Sequence, residues 1–133
     1  MYLLDTNVVS ELARPRPDQK VRSWLGRQSE VSISVITIEE ILFGILRAPS
    51  ARRPKLVAWF EDLQQNVRIT HDVTPSIARA AADLRATRTG LARPVAQADM
   101  LIAATAVVHG LTLATRNVID FDGCGVAVVD PFR

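Results

Sequence analysis

Tyr2-Leu3-Leu4-Asp5-Thr6-Asn7, near the start of the chain, joins an apolar run to a group of polar side chains. Three consecutive apolar residues are typical of a strand that is buried on both faces of a parallel sheet. Asp5 ends this predicted strand, and a short helix is expected to follow over Ser10 to Ala13. In open α/β sheets, ligands bind at the edge where the strands end. Asp5 is therefore either the cap of a helix or part of a site, and its local sequence leaves both interpretations open.

The composition indicates one folded domain. With 133 residues, of which 48% are hydrophobic, the chain is long enough for one core and too short for two. We therefore predict a single domain over residues 1–133. Cys124 is the only cysteine, which excludes an intrachain disulfide and fits a reducing compartment. The sequence has neither a leader-like segment nor an apolar stretch long enough to cross a bilayer, so we expect a soluble cytoplasmic protein with no membrane partner.

The charge of the chain does not by itself indicate a nucleic-acid partner. The formal net charge is +2, from 16 lysines and arginines against 14 acids. Basic side chains recur in three groups, over residues 14–27, 47–55 and 79–93. These groups are either solvated helix faces or a rim that binds phosphate, because arginine is well shaped for phosphate oxygens.

The apolar patterning predicts strands that alternate with helices. Period-two or continuous apolar runs predict strands at residues 2–4, 31–36, 67–70, 111–115 and 125–129. Helical spacing predicts helices at about 18–28, 38–47, 55–65, 75–89 and 95–109, and a loop at 91–94. Thr37 and Glu40 have the spacing of a capping box at the start of the second of these helices. The fold class is α/β, a three-layer α/β/α arrangement with a central parallel sheet of four to five strands.

Four acids fall where this layout brings strand ends and helix starts together: Asp5, Glu40, Asp99 and Asp120. Neighbouring carboxylates repel by roughly 4 kcal/mol per pair at a separation of about 4 Å and an effective dielectric constant near 20. Such a cluster must hold either protons or a cation. Oxygen ligands without cysteine or histidine suit Mg²⁺ or Mn²⁺. Polar side chains able to orient the acids or metal-bound waters lie beside them: Thr6, Asn7, Thr37, Thr115 and Asn117.

Each acid also has a simpler explanation. Glu40 fits a capping box, Asp99 fits a favourable interaction with a helix dipole, and Asp120 fits a surface turn. Only their joint position at one edge of the sheet indicates a site.

Four segments, taken in order, resemble the PIN-domain ribonucleases, and in particular the VapC toxins of bacterial type II toxin–antitoxin pairs and the FitB-like proteins. The segments are Leu4 to Asn7, Thr37 to Gly44, Pro94 to Ala104 and Leu113 to Phe121. In this family the glutamate four residues before the glycine is the ligand, which selects Glu40 over Glu39. Ala96 departs from the pattern, because relatives often have glycine there.

The resemblance implies an endonuclease that hydrolyses phosphodiester bonds of transfer or ribosomal RNA with Mg²⁺ or Mn²⁺. Asp5 would be the central ligand and Asp99 its main partner, with Glu40 and Asp120 as outer ligands. A set of polar residues would support these acids: Thr6, Asn7, Thr115 and Asn117. The resemblance also implies a homodimer, and a cognate VapB-like antitoxin that places a basic side chain among the acids.

The same residues allow interpretations other than a nuclease. The acids could instead serve to dock an antitoxin, in a binding module whose complex with that antitoxin binds DNA. A phosphotransfer domain fits poorly, because a phosphatase of that kind needs an aspartate where Asn7 stands, and a receiver domain needs a lysine later than Lys55. Histidine-based ribonuclease chemistry also fits poorly, since His71 is in a predicted loop and His109 ends a helix.

Overall fold

The computed structural model describes residues 1–88 and 95–133, and a parallel sheet lies at their centre. Each strand is short, and the sheet has the order β3-β2-β1-β4-β5. All pairings are parallel, so every strand ends at the same edge. The strands are β1 (Tyr2–Leu4), β2 (Val31–Ser34), β3 (Ile69–His71), β4 (Thr112–Ala114) and β5 (Val128–Val129).

Helices connect the strands, as the alternating pattern predicts. The α-helices are α1 (Thr6–Leu12), α2 (Gln19–Gly26), α3 (Val35–Arg47), α4 (Arg53–Asn66), α5 (Pro75–Arg88) and α6 (Gln97–His109). A 3₁₀ helix, Val118–Phe121, lies between β4 and β5. Gly110 ends α6 with a φ of 65°, a left-handed conformation that glycine adopts without steric cost.

The sheet separates two apolar cores. Leu4 and Ile33 face the first core, which also contains side chains from α1 to α4. Leu3 and Leu113 face the second core, where α6 supplies Met100 among others. Consecutive residues of a strand point to opposite faces, so Leu3 and Leu4 each bury a different side of the sheet. The prediction of a three-layer α/β/α fold is confirmed.

The boundary between β2 and α3 differs from the prediction. The strand ends at Ser34, whose hydroxyl accepts a hydrogen bond from the amide of Ile36 and caps the helix. The prediction that Thr37 caps the helix is therefore wrong, and so is the capping box with Glu40, which lies in the second turn. Val35 and Ile36 have high strand propensity, but the serine cap overrides that preference.

Other boundaries differ by a few residues. α1 begins at Thr6 and not near Ser10, because Asp5 caps it directly. β3 lies at Ile69–His71, and β4 and β5 are shorter than predicted. The expected end of α5 after Arg88, the loop at 91–94 and the residues Arg93 and Pro94 lie outside the described residues. In the part of the chain that is described, no helix is both long enough and apolar enough to cross a membrane.

Candidate active site and metal centre

Asp5 lies at the end of the central strand and is 4% exposed. One carboxylate oxygen, Oδ1, accepts a hydrogen bond of 2.8 Å from the amide of Thr6 and caps α1. The other, Oδ2, accepts bonds from the Thr115 hydroxyl at 2.8 Å and the Asn7 amide at 3.3 Å. A carboxylate has about four lone-pair sites, so these three bonds leave capacity for one more partner. Asp5 is thus both a helix cap and an acid held in a fixed position.

Burial raises the pKa of Asp5 above its ordinary value of 3.8. Loss of hydration is the largest cause, and the charges of Glu40 and Asp120 add to it. The hydrogen bonds from Thr115 and Thr6 act in the opposite direction, because they stabilise the charged form.

Glu40 is held near Asp5 by the hydroxyl of Thr6, the residue that follows Asp5 and donates its amide to it. The Thr6 hydroxyl donates to Glu40 Oε1 at 2.7 Å, and it lies 3.0 Å from the hydroxyl of buried Thr37. Thr6 therefore joins α1 to α3 and fixes the position of the glutamate relative to Asp5. The sequence predicts Thr37 as a helix cap, whereas the structure gives it this linking role.

Asp99 lies in the first turn of α6, as predicted. Its pKa is raised from 3.8 to about 6, first by loss of hydration and then by the charges of Asp5, Glu40 and Asp120. The other three sequence-predicted acids thus all act on the ionisation of Asp99. This mutual effect is what a cluster of like charges at one edge of the sheet produces.

Three of the four acids line one cavity of about 520 Å³: Asp5, Glu40 and Asp99. Asp120 lines a neighbouring cavity of about 400 Å³, and the two cavities share Arg116 and Asn117 as a wall. The structure therefore places Asp120 close enough to influence Asp5 and Asp99, but on the far side of that wall.

The donor chemistry of the larger cavity fits a hydrated divalent cation. Among residues 1–88 and 95–133, no three acidic, histidine or cysteine side chains are close enough to enclose a metal ion together. Mg²⁺ keeps several of its waters and takes only one or two carboxylates directly. A cavity of this volume, lined by four carboxylates of which Glu11 is paired with Arg14, would accommodate such an ion, and the ion would relieve the repulsion among the other three.

The predicted supporting residues form one network beneath the acids. Asn7 donates to the Thr115 hydroxyl and accepts a hydrogen bond from the Arg116 amide. The Thr115 hydroxyl also accepts a bond of 3.0 Å from the amide of Asn117. These bonds join the end of β1 to the end of β4, so the network holds Asp5 in place.

The sequence analysis assigned no role to Arg116, and it included Arg88 only in a group of basic residues that form either a solvated helix face or a rim that binds phosphate. Arg116 lines both cavities, and its guanidinium lies 4.2 Å from the centre of the Phe132 ring. Arg88 donates to the backbone carbonyls of Asp120 and Asp122, joining α5 to the segment that carries Asp120. The position of Arg116, directly after the predicted site residue Thr115, could have indicated that it lies near the acids. No local sequence pattern indicates the contact that Arg88 makes.

Glu11 is a buried acid of α1 that the sequence analysis did not single out. It is 5% exposed, pairs with Arg14 at 3.3 Å and accepts a bond from the amide of Asp18. Both residues line the larger cavity. Because Arg14 compensates its charge, Glu11 adds less to the repulsion than the other three acids do.

Comparison with known proteins identifies the class. The PIN domain family matches residues 2–122, and the chain belongs to this family. It is 34% identical to a VapC ribonuclease, Y4jK, of Sinorhizobium fredii, over all of this chain and 99% of the relative. It is 35% identical to Toxin FitB of Neisseria gonorrhoeae, again over all of this chain and 99% of the relative.

A solved structure agrees with the sequence comparison. The crystal structure of FitAcB from Neisseria gonorrhoeae matches with a TM-score of 0.84 and 34% identity, covering all of this chain and 99% of that chain. The expectation of a PIN fold of the VapC and FitB kind is confirmed.

Proposed function

We propose that this protein is a metal-dependent endoribonuclease and the toxin component of a type II toxin–antitoxin pair. The observation that carries the proposal is the cavity in which Asp5, Glu40 and Asp99 meet at the carboxyl edge of the sheet. Relatives with similar sequences are named as VapC ribonucleases in Sinorhizobium fredii and Rickettsia felis, the latter 32% identical over 90% of this chain. A relative in Shigella flexneri, 25% identical, is named as a tRNA(fMet)-specific endonuclease.

The chemistry follows from the acids. Asp5, with Asp99 and Glu40, would hold one or two Mg²⁺ or Mn²⁺ ions, and Asp120 would act from across the shared wall. When bound, such an ion lowers the pKa of a water and neutralises the charge of the scissile phosphate. Asp5 stays in one orientation because Thr6, Thr115 and Asn7 donate to it. Glu40, held by the Thr6 hydroxyl, can orient a water or accept its proton.

The proposed antitoxin would bind beside this cavity. A small apolar groove of about 150 Å³ lies among α1, α3 and α4, and Glu40 is part of its lining. Its apolar lining includes Ile41, Leu56 and Trp59. A segment laid in this groove would bring a basic side chain to the acids, where a charge-assisted hydrogen bond to a carboxylate is strong. The proposed partner is a VapB-like antitoxin, and FitAcB and the VapBC structures are the relatives that suggest it.

We also propose a homodimer. Leu42, Phe43 and Leu46 on α3 are 40%, 55% and 67% exposed. Large apolar side chains grouped on one helix face are typical of a surface that is covered in the assembly.

The direct test is cleavage of RNA by antitoxin-free protein. Wild-type protein is expected to cut RNA with Mg²⁺ or Mn²⁺ and to stop when EDTA is added. Asp5→Asn should lose the activity while remaining folded, and Asp83→Asn, which changes an exposed aspartate of α5, should keep it. Mapping RNA ends after induction would locate the cleavage site. Failure of the wild-type protein to cut any cellular RNA would contradict the proposal.

A second function is supported by one relative. The structure of FitAB bound to an IR36 DNA fragment is 30% identical to this chain and has a TM-score of 0.81. The alternative is therefore a catalytically weak module that docks an antitoxin, with the pair binding DNA. An electrophoretic mobility assay of the reconstituted pair on its own promoter measures this function. DNA binding by the pair, without RNA cleavage by the separated protein, would favour the alternative.

A further inference from the structure

The cavity on the far side of the shared wall has a different charge balance from the acid cavity. It is about 400 Å³ in volume, within the range of small-ligand sites. Its lining contains two arginines and two aspartates: Arg116, Arg133, Asp120 and Asp130. Asp130 is engaged by Arg133 at 3.4 Å and by the amide of Phe132 at 2.9 Å. The acid cavity, by contrast, contains three carboxylates without an ion-pair partner among the described residues.

Arg116 is fixed at the boundary between the two cavities. Its guanidinium lies over the Phe132 ring at 4.2 Å, a cation–π contact that limits the conformations of a long side chain. Phe132 in turn packs against the first core, so the ring itself is held. The backbone amide of Arg116 donates to Asn7 Oδ1, which ties the position to the network under Asp5. Within residues 1–88 and 95–133, no carboxylate forms an ion pair with this guanidinium.

These contacts hold the guanidinium group of Arg116 in an ordered position close to the acids. We propose that Arg116, held on Phe132, binds a backbone phosphate of single-stranded RNA next to the phosphate that is cut, with the neighbouring nucleotide in the second cavity. This inference rests on the proposed ribonuclease function. A polyanion cannot lie across three carboxylates unless cations meet its other phosphates, and arginine matches phosphate geometry with two parallel hydrogen bonds. Ile119, 63% exposed in the same cavity, offers an apolar contact for a sugar or base.

The test is single-turnover cleavage of a labelled RNA at increasing protein concentrations, which separates the half-saturating concentration from the saturating rate. Arg116→Gln is expected to raise the half-saturating concentration about tenfold, because one charge-assisted contact is lost. The saturating rate should stay within about twofold, because the residue binds substrate away from the reacting phosphate. One lost phosphate contact should also reduce the slope of log affinity against log salt by about 0.7.

Two variants test the details of the contact. Arg116→Lys keeps the charge and should keep the salt slope, although it loses the paired hydrogen bonds. Phe132→Leu should weaken binding about threefold with an unchanged slope, because the guanidinium is then less restrained. Arg68→Gln is the matched control, since Arg68 is an exposed arginine before β3, at the opposite edge of the sheet.

The outcomes are distinguishable. The phosphate site is supported if the wild-type protein cuts RNA and if Arg116→Gln binds RNA more weakly, and with a smaller salt dependence, than Arg68→Gln does. Wild-type cleavage with the two variants indistinguishable would overturn the phosphate site and leave the ribonuclease proposal standing. Absence of cleavage by wild-type protein would overturn both. Melting curves check that both variants are folded. We expect both to be folded, because substitutions at exposed positions usually change stability little.

Discussion

Replacing Asp99 with asparagine should stabilise the metal-free protein at neutral pH. In the folded chain the pKa of Asp99 is raised from 3.8 to about 6, by loss of hydration first and then by the neighbouring acids. Between these values the folded protein keeps a proton that the unfolded chain has lost, so stability falls as the pH rises through this window. Above it, the ionised Asp99 destabilises the fold by the full amount, and asparagine removes that penalty.

The magnitude follows from the size of the pKa change. Without any correction for solvent screening, this change in the pKa of Asp99 corresponds to a loss of about 3 kcal/mol in the free energy of unfolding. Asp99 is only partly buried, however, and solvent screening reduces the effect to roughly 1–1.5 kcal/mol. The substitution also removes a favourable interaction of about 0.5 kcal/mol between the acid and the amino end of α6. A net gain on the order of 0.5–1 kcal/mol remains, which raises Tm by about 2–4 °C for a chain of this length.

Thermal unfolding in EDTA, followed by circular dichroism, measures this gain. Asp99→Asn should melt above wild type at about pH 7.5, and the difference should vanish below pH 3.8, where the wild-type acid is protonated in both the folded and the unfolded chain. Added Mg²⁺ should raise the Tm of wild type more than that of Asp99→Asn, because a ligand of the folded state stabilises it. Asp83→Asn, the exposed control, should respond to Mg²⁺ as wild type does. An Asp99→Asn protein that melts below wild type in EDTA, or that gains equally from Mg²⁺, would refute the electrostatic reasoning.

Three further predictions concern the supports of the site and the rest of the fold. Thr115→Val removes the buried hydroxyl that donates to Asp5, so the free energy of unfolding should fall by about 2 kcal/mol and the affinity for Mg²⁺ should drop. An unchanged unfolding free energy in urea and an unchanged Mg²⁺ affinity by calorimetry would argue against a supporting role for Thr115. Arg88→Ala releases the carbonyls of Asp120 and Asp122, and should lower the free energy of unfolding by about 1–2 kcal/mol, against little effect for exposed Arg79→Ala. The pKa of His71 lies below 6.5, because burial and the neighbouring His109 ring, 4.3 Å away between ring centres, disfavour the charged form. Stability should therefore decrease as the pH falls below 6.5. A His71→Leu variant with the same pH dependence would contradict that assignment.

The positions of Asp5 and Asp99 were predictable, because each depends on a local pattern. An apolar run followed by a polar cluster locates the end of β1, and helical periodicity places Asp99 in the first turn of α6. Parallel topology then brings both to one edge of the sheet, since all strands end there.

Glu40 and Arg88 show where sequence reasoning stops. Glu40 was assigned to a first helical turn, but the helix begins earlier, and its link to Asp5 runs through the hydroxyl of Thr6, 34 residues away in sequence. Arg88 reaches carbonyls 32 and 34 residues along the chain. Hydrogen bonds of this kind depend on how α1, α3 and α5 pack, and single-sequence periodicity carries no information about that packing.

The central claim, that acids from separate elements together hold divalent metal, is tested most directly by Mn²⁺ titration observed by NMR. The unpaired electrons of Mn²⁺ broaden the signals of nearby nuclei. We expect the backbone amides of Thr6, Asn7, Glu40 and Asp99 to disappear first, the amide of Arg68 at the opposite edge to persist, and Asp5→Asn to need much more Mn²⁺ for the same effect. Broadening centred on any other part of the molecule, or an Asp5→Asn titration identical to that of wild type, would contradict the claim.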